Sequence, residues 1–212
     1  MDPDHLIKSY PKVYHMAELG SWPNIRKRGL FSTTALLDLF DIKGDERSRL
    51  ESEWRPRSVK INHAIQGSAV IRDQGPMPEN ELRGLLIGME PREWYELINR
   101  KTFFWADEYG LRKLLGAVRY RNQSHDVLTV DTRLLLARHI QDITLTDQNS
   151  GSTMSKKPRG RDTFKKVNEF KNRYVTEVAV DYSVPDVADL TIRVEEWMGG
   201  RNVREIWSRE RS

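Results

Sequence analysis

Apolar residues recur along this chain in short bursts with two periods, and the bursts alternate. Val13-Tyr14-His15-Met16 has the character of a strand. Ser21 then precedes a helix with Pro23 in its first turn, which Gly29 closes. Leu30-Phe31-Ser32 leads into a second helix, capped by Thr33 or Thr34, with Leu36, Leu37, Leu39 and Phe40 as its stripe. A highly charged helix is predicted over 44–54, with Leu50 and Trp54 four apart as its buried edge, and Pro56 forces the chain out of helix. Residues 59–75 show little pattern and many turn formers. Helical spacing returns over 78–88, with Leu82, Leu85 and Leu86, and over 91–99, with Trp94, Leu97 and Ile98. Thr102-Phe103-Phe104-Trp105 reads as an aromatic strand, 108–116 as a helix, and Val127-Leu128-Thr129-Val130 as another strand. Asp131 or Thr132 caps the helix that carries Leu134, Leu135 and Leu136.

The pattern changes over 147–162, where there is almost nothing to bury; a mobile loop is expected there. A charged, helix-like segment near 164–171 follows, and then the clearest strand, over 175–184. The last amphipathic stretch, 187–207, is strand or helix ended by Gly199-Gly200. Strands and helices intermix without a repeat or a linker, so the class is α+β and the whole chain, 1–212, reads as one domain.

Composition narrows the chemistry. At 212 residues the chain is long enough to bury a core, and six Trp, seven Tyr and six Phe compensate for a modest hydrophobic fraction of 38%. The absence of cysteine excludes disulfides, thiolate catalysis and Cys-based zinc sites. No apolar run reaches membrane-spanning length, and Met1-Asp2-Pro3-Asp4-His5 is unlike a signal peptide, so no membrane partner is expected and the expected location is the cytoplasm. A net charge of +4 suits a polyanionic partner as readily as it suits a plainly basic surface.

Two residues stand out as chemistry. In the strand over 175–184, Val178, Val180 and Tyr182 face one way and Glu177, Ala179 and Asp181 the other. On parity alone a solvated Glu177 is the simpler reading. His15 beside an aromatic likewise suits a structural histidine. The five histidines show no metal-ligand spacing, so no metal is expected. No nucleophile elbow, phosphate loop or dinucleotide glycine motif is present.

Taken in order, the landmarks resemble a known family. Tyr14-His15-Met16-Ala17-Glu18 followed by Ile25-Arg26-Lys27-Arg28-Gly29-Leu30 is similar to the opening of the DarT-type nucleic-acid ADP-ribosyltransferases. Arg55-Pro56-Arg57 sits where that family has an arginine cluster. Thr102-Phe103-Phe104-Trp105, the segment from Leu115 to Tyr120, Val127-Leu128-Thr129-Val130 and Thr176-Glu177-Val178-Ala179-Val180 then match its later landmarks collinearly. The chain departs at Ala17, where the family has a hydroxyl residue, and over 67–99, which has no counterpart and reads as a helical insertion.

The resemblance implies a split antiparallel β-sheet of the ADP-ribosyltransferase kind and an NAD-dependent mono-ADP-ribosyltransferase. Glu177 would stabilise the sugar cation formed as nicotinamide leaves, with Arg55 or Arg57 on diphosphate or acceptor. His15, Met16, Ala17, Gly29 and Leu30 would bind NAD, with Phe103, Phe104 or Tyr109 as an aromatic wall. Lys156, Lys157, Arg159 and Arg161 would meet a nucleic-acid acceptor. Such enzymes act as toxins or defence effectors, which implies an antitoxin or a hydrolase that removes the mark. A protein acceptor and a non-catalytic nucleic-acid-binding module are the alternatives; an RNA phosphate-removing transferase has a similar opening but no glutamate.

Overall fold

A computed structural model describes residues 1–209. The first half of the chain runs α1 (Pro3–Ser9), β1 (Lys12–Glu18), α2 (Trp22–Arg28), β2 (Leu30–Phe31), α3 (Thr33–Leu39) and α4 (Gly44–Glu51). A hairpin, β3 (Val59–His63) and β4 (Gly67–Ile71), precedes α5 (Glu79–Arg83) and α6 (Pro91–Asn99). Then come β5 (Lys101–Trp105), α7 (Glu108–Leu115), β6 (Ser124–Asp131), α8 (Thr132–His139) and β7 (Ile143–Thr146). The chain ends with β8 (Lys165–Lys166), β9 (Glu177–Asp181), β10 (Ser183–Val184), α9 (Val187–Leu190), β11 (Thr191–Met198) and β12 (Arg201–Ser208). Among the described residues no helix is long and apolar enough to cross a membrane.

Eight strands form one antiparallel sheet in the order β12-β11-β6-β1-β5-β9-β7-β8, so the class is α+β. Its two faces follow strand parity. Val13, Leu128, Val130, Val178 and Val180 turn to one side, where Leu6 of α1, Leu135 and Leu136 of α8 and Leu190 of α9 cover them. On the other side Tyr14, Val127 and Trp197 pack under Leu111 and Leu115 of α7. Farther along that side Ala179 meets Leu82 of α5 and Trp94, Tyr95 and Ile98 of α6. Leu37, Phe40, Leu50, Ile61 and Ile71 make a smaller cluster that attaches the β3–β4 hairpin to α3 and α4.

Helix α3 starts one residue earlier than expected, because the Ser32 hydroxyl accepts from Ala35 N–H at 3.1 Å and neither threonine caps it. Asp131 caps α8, and Asp107 caps α7. The segment without pattern over 59–75 is the β3–β4 hairpin, so the expected helical insertion over 67–99 begins as a strand. The charged, helix-like segment near 164–171 is instead β8 followed by a 3-10 turn, Val167–Glu169, with Phe164, Val167 and Phe170 buried around it. The long strand over 175–184 is broken at Tyr182, whose φ of 65° separates β9 from β10. Gly199 and Gly200 have φ of 57° and 76°, the two-residue turn whose twist suits the β11–β12 hairpin.

One irregularity in the sheet decides where a ligand can enter. Strand β1 pairs with β6 along its whole length but with β5 only at Tyr14↔Trp105. Beyond that point β1 and β5 part, and the sheet is split.

Candidate active site

The split opens into a cleft of about 1270 Å³, lined on one side by residues 15–18 of β1 and on the other by Lys101, Thr102 and Phe103 of β5. Glycine is required at the end of α2: Gly29 has φ of 101°, and a Cβ there would collide with the backbone of Pro185. That close approach sets the α2–β2 wall against β10.

His15 spans the split. Its Nδ1 lies 2.8 Å from the Phe103 carbonyl oxygen, which can only accept, so Nδ1 carries the proton. The side chain thus satisfies a β5 carbonyl near the point where β1 stops pairing. Its ring centroid is 5.7 Å from that of Phe104. Burial, with a smaller contribution from the Arg72 charge, outweighs the Phe103 hydrogen bond and lowers the imidazole to about 4. His15 is therefore neutral at physiological pH, and its Nε2, which has no partner among the described residues, is left as an acceptor.

Glu177 opens β9 opposite Trp105 and Thr146. It is only 5% exposed, which overturns the solvated reading, because α5, α6 and the chain after β7 cover its face of the sheet. Its Oε2 accepts from the Ser150 backbone N–H at 3.1 Å. The Ser150 hydroxyl also lies close enough to act on the carboxylate, and Glu177 lines the same cleft as His15. Burial raises the carboxyl from 4.5 to about 7, against the lowering effects of Ser150 and of the Arg159 charge. A carboxylate that is half protonated near neutral pH, in a cleft, is a feature of working acids and bases.

The arginines fall out differently from expectation. Arg55 is buried and its guanidinium is engaged internally, donating to the carbonyls of Leu50 and Arg72, to Asn99 Oδ1 at 3.1 Å and to Thr33 Oγ1 at 3.4 Å. It ties α3, α4 and α6 to the exit of β4, and has almost no donor left for a ligand. Arg57 is exposed and outside the cleft lining. The guanidinium that faces the cleft beside His15 is Arg72. Its carbon sits 5.4 Å from the Tyr120 ring centroid, and its Nη1 donates to His125 Nδ1 at 3.2 Å. Burial and the Arg72 charge lower His125 to about 4, which keeps it an acceptor. Glu18 stands 3.6 Å from Arg72 and Asp73 3.9 Å from its Nε, though Asp73 is held more closely by Arg119 at 2.6 Å and the Tyr120 hydroxyl at 2.7 Å. Nothing in the sequence singles out Arg72, because most of its partners come from β1, the segment before β6 and β6 itself.

Met16, Ala17, Gly29, Leu30 and Phe103 line the cleft, and Tyr109 stands at its rim, 76% exposed. Phe104 points the other way and is 0% exposed in the core, so it forms no wall. The segment over 147–162 is packed, in contrast to the expected loop with nothing to bury: Gln148, Ser150, Ser152 and Thr153 are buried, and Arg159 bridges to Leu86. Lys156 is exposed and Arg161 binds Glu93 at 2.7 Å. Lys157 lines the cleft but donates to Asp147. Arg159 is buried and cannot meet an acceptor at the surface.

The model of a family of unknown function, DUF7002, matches residues 11–191. The chain belongs to that family. The DUF7002 match takes in His15, Arg72, Arg159 and Glu177, and with them both sides of the split. No curated protein matches the chain.

Proposed function

We propose that this protein is an NAD-dependent mono-ADP-ribosyltransferase with an ADP-ribosyltransferase-like split sheet, acting on a nucleic-acid acceptor as a toxin or defence effector. The observation that carries the reading is that a neutral His15 and a buried Glu177 both line the one cleft that opens where β1 and β5 part. Departure of nicotinamide from NAD leaves a ribose with oxocarbenium character, and nicotinamide, cationic until the bond breaks, needs no acid. One carboxylate suffices, and Glu177 in the cleft wall would stabilise that charge. The acceptor then attacks the sugar carbon and loses a proton. His15 Nε2 accepts from a ribose hydroxyl, and Phe103 and Tyr109 supply apolar and aromatic surface. Arg72, stacked on Tyr120 and loosely compensated, replaces Arg55 and Arg57 as the diphosphate ligand. The acceptor class rests on the DarT resemblance and the net charge of +4.

The deciding experiment incubates the protein with labelled NAD and separate pools of single-stranded DNA, RNA and protein. Label on a nucleic acid supports the reading; label on protein moves the acceptor to a side chain; release of neither nicotinamide nor ADP-ribose overturns it. Two binding measurements sharpen it. His15→Ala is expected to weaken NAD about tenfold, the order of one hydrogen bond, with a small change in melting temperature; unchanged affinity with a large fall in melting temperature makes His15 purely structural. Arg72→Met is expected to weaken ADP about 10- to 100-fold by calorimetry, as for a lost charge-assisted pair. Equal ADP affinity in the variant would remove Arg72 from the site.

A further inference from the structure

Arg159 is 1% exposed in a stretch that reads as a solvated basic run. Its backbone is fixed by bonds with Leu85 and Ile87, at 2.9 and 2.8 Å. The guanidinium carbon lies 5.5 Å from the Trp94 ring centroid. Nη1 donates to the Ser150 carbonyl at 3.3 Å and Nε to the Lys157 carbonyl at 3.4 Å, while Nη2 is buried without a protein partner. No carboxylate pairs with it directly among the described residues. A buried guanidinium held this way is destabilising by itself, since its desolvation is poorly offset. The other side of the same peptide residue explains the arrangement: Ser150 N–H donates to Glu177 Oε2 at 3.1 Å.

We propose that Arg159 is a positioning residue for Glu177, clamping the Ser150 carbonyl so that the Ser150 N–H holds Oε2 and fixes the carboxylate in the cleft wall. The inference rests on the reading of Glu177 as the working carboxylate. Among the described residues Arg159 is the one charged group that acts on Glu177; Trp105 of β5, Thr146 of β7 and Ser150, its neighbours, carry no charge. Its field favours the ionised carboxylate against burial, so its loss should be felt as a change in protonation as well as in geometry.

The test follows the Glu177 carboxyl directly, by ¹³C NMR of protein labelled at glutamate, with Glu177→Gln to assign the resonance. In Arg159→Met the titration midpoint is expected to move up by about one pH unit. Arg159→Lys, which keeps the cation, should titrate near the parent. The acid limb of NAD turnover should move with the resonance, a shift that loss of packing on Trp94 alone would not produce. If the methionine variant does not fold, Arg159→Gln still removes the charge while its amide can reach the Ser150 carbonyl, so its midpoint is expected to move in the same direction by a smaller amount. An unchanged midpoint in a folded neutral variant overturns the proposal even if the enzyme is active. A shifted midpoint in a protein that turns over no NAD leaves the positioning role standing and sinks the transferase reading.

Discussion

Glu177→Gln is expected to lower NAD turnover by roughly 10²–10³ while the fold persists, the usual effect of removing one electrostatic stabiliser from a water-poor site. The amide keeps the size of the side chain and can still accept from Ser150 N–H, but it carries no charge to offset the developing sugar cation. Turnover in the parent should rise with pH through about 7, because the proposed role needs the ionised carboxylate, whose proton burial retains to about that pH. Stability should run the opposite way. The folded carboxyl, raised from 4.5 to about 7, keeps its proton in a window where the unfolded one has lost it. The parent therefore loses stability relative to the glutamine variant as pH rises through that window, by on the order of 3 kcal/mol for a shift of this size. Denaturant titrations of both proteins at pH 4 and pH 8 measure it. Equal turnover in a folded variant removes Glu177 from the mechanism, and parallel stability curves remove the raised carboxyl.

Phe104→Ala is the second large effect, and it is expected in stability. Phe104 is 0% exposed, packed with Val178, Val180 and Leu128 on the face opposite Glu177. Truncation of such a ring costs about 3–5 kcal/mol, from lost burial and the cavity left behind. Because Phe104 also supports the His15 ring, NAD affinity in the folded fraction should fall as well. Its neighbour Phe103 is partly exposed in the cleft wall, so Phe103→Ala should cost less stability and act mainly on ligand binding. A loss below about 1 kcal/mol for Phe104→Ala in urea would contradict the core assignment.

Where periodicity was strong, the elements appear as read. Helices α3, α6, α7 and α8 carry apolar stripes that need only one face of one helix to be seen. Strand parity at Glu177 was also correct: Val178 and Val180 lie in one core cluster and Ala179 in another. The β3–β4 hairpin was invisible because only Ile61 and Ile71 among its strand residues are buried, and no clean alternation marks it. Helix α1 carries its own start signals, an Asp2 cap and Pro3 in the first turn, that the reading of the polar start passed over, whereas β8 is a two-residue piece defined by its pairing with β7.

The sequence by itself determined the chemistry on offer: a chain without cysteine, a histidine on an early strand, a lone carboxylate on a late one, and a glycine that lets the backbone turn between α2 and β2. Only the tertiary structure decided which of these groups meet and in what state. Burial of Glu177, neutrality of His15 and the choice of Arg72 over Arg55 and Arg57 each depend on side chains contributed by distant segments. Desolvation and hydrogen-bond partners are properties of the packed neighbourhood, and local periodicity carries no record of them. The same holds for Arg159, which reads as a solvated charge beside three others and is drawn inside by Trp94 and two backbone carbonyls.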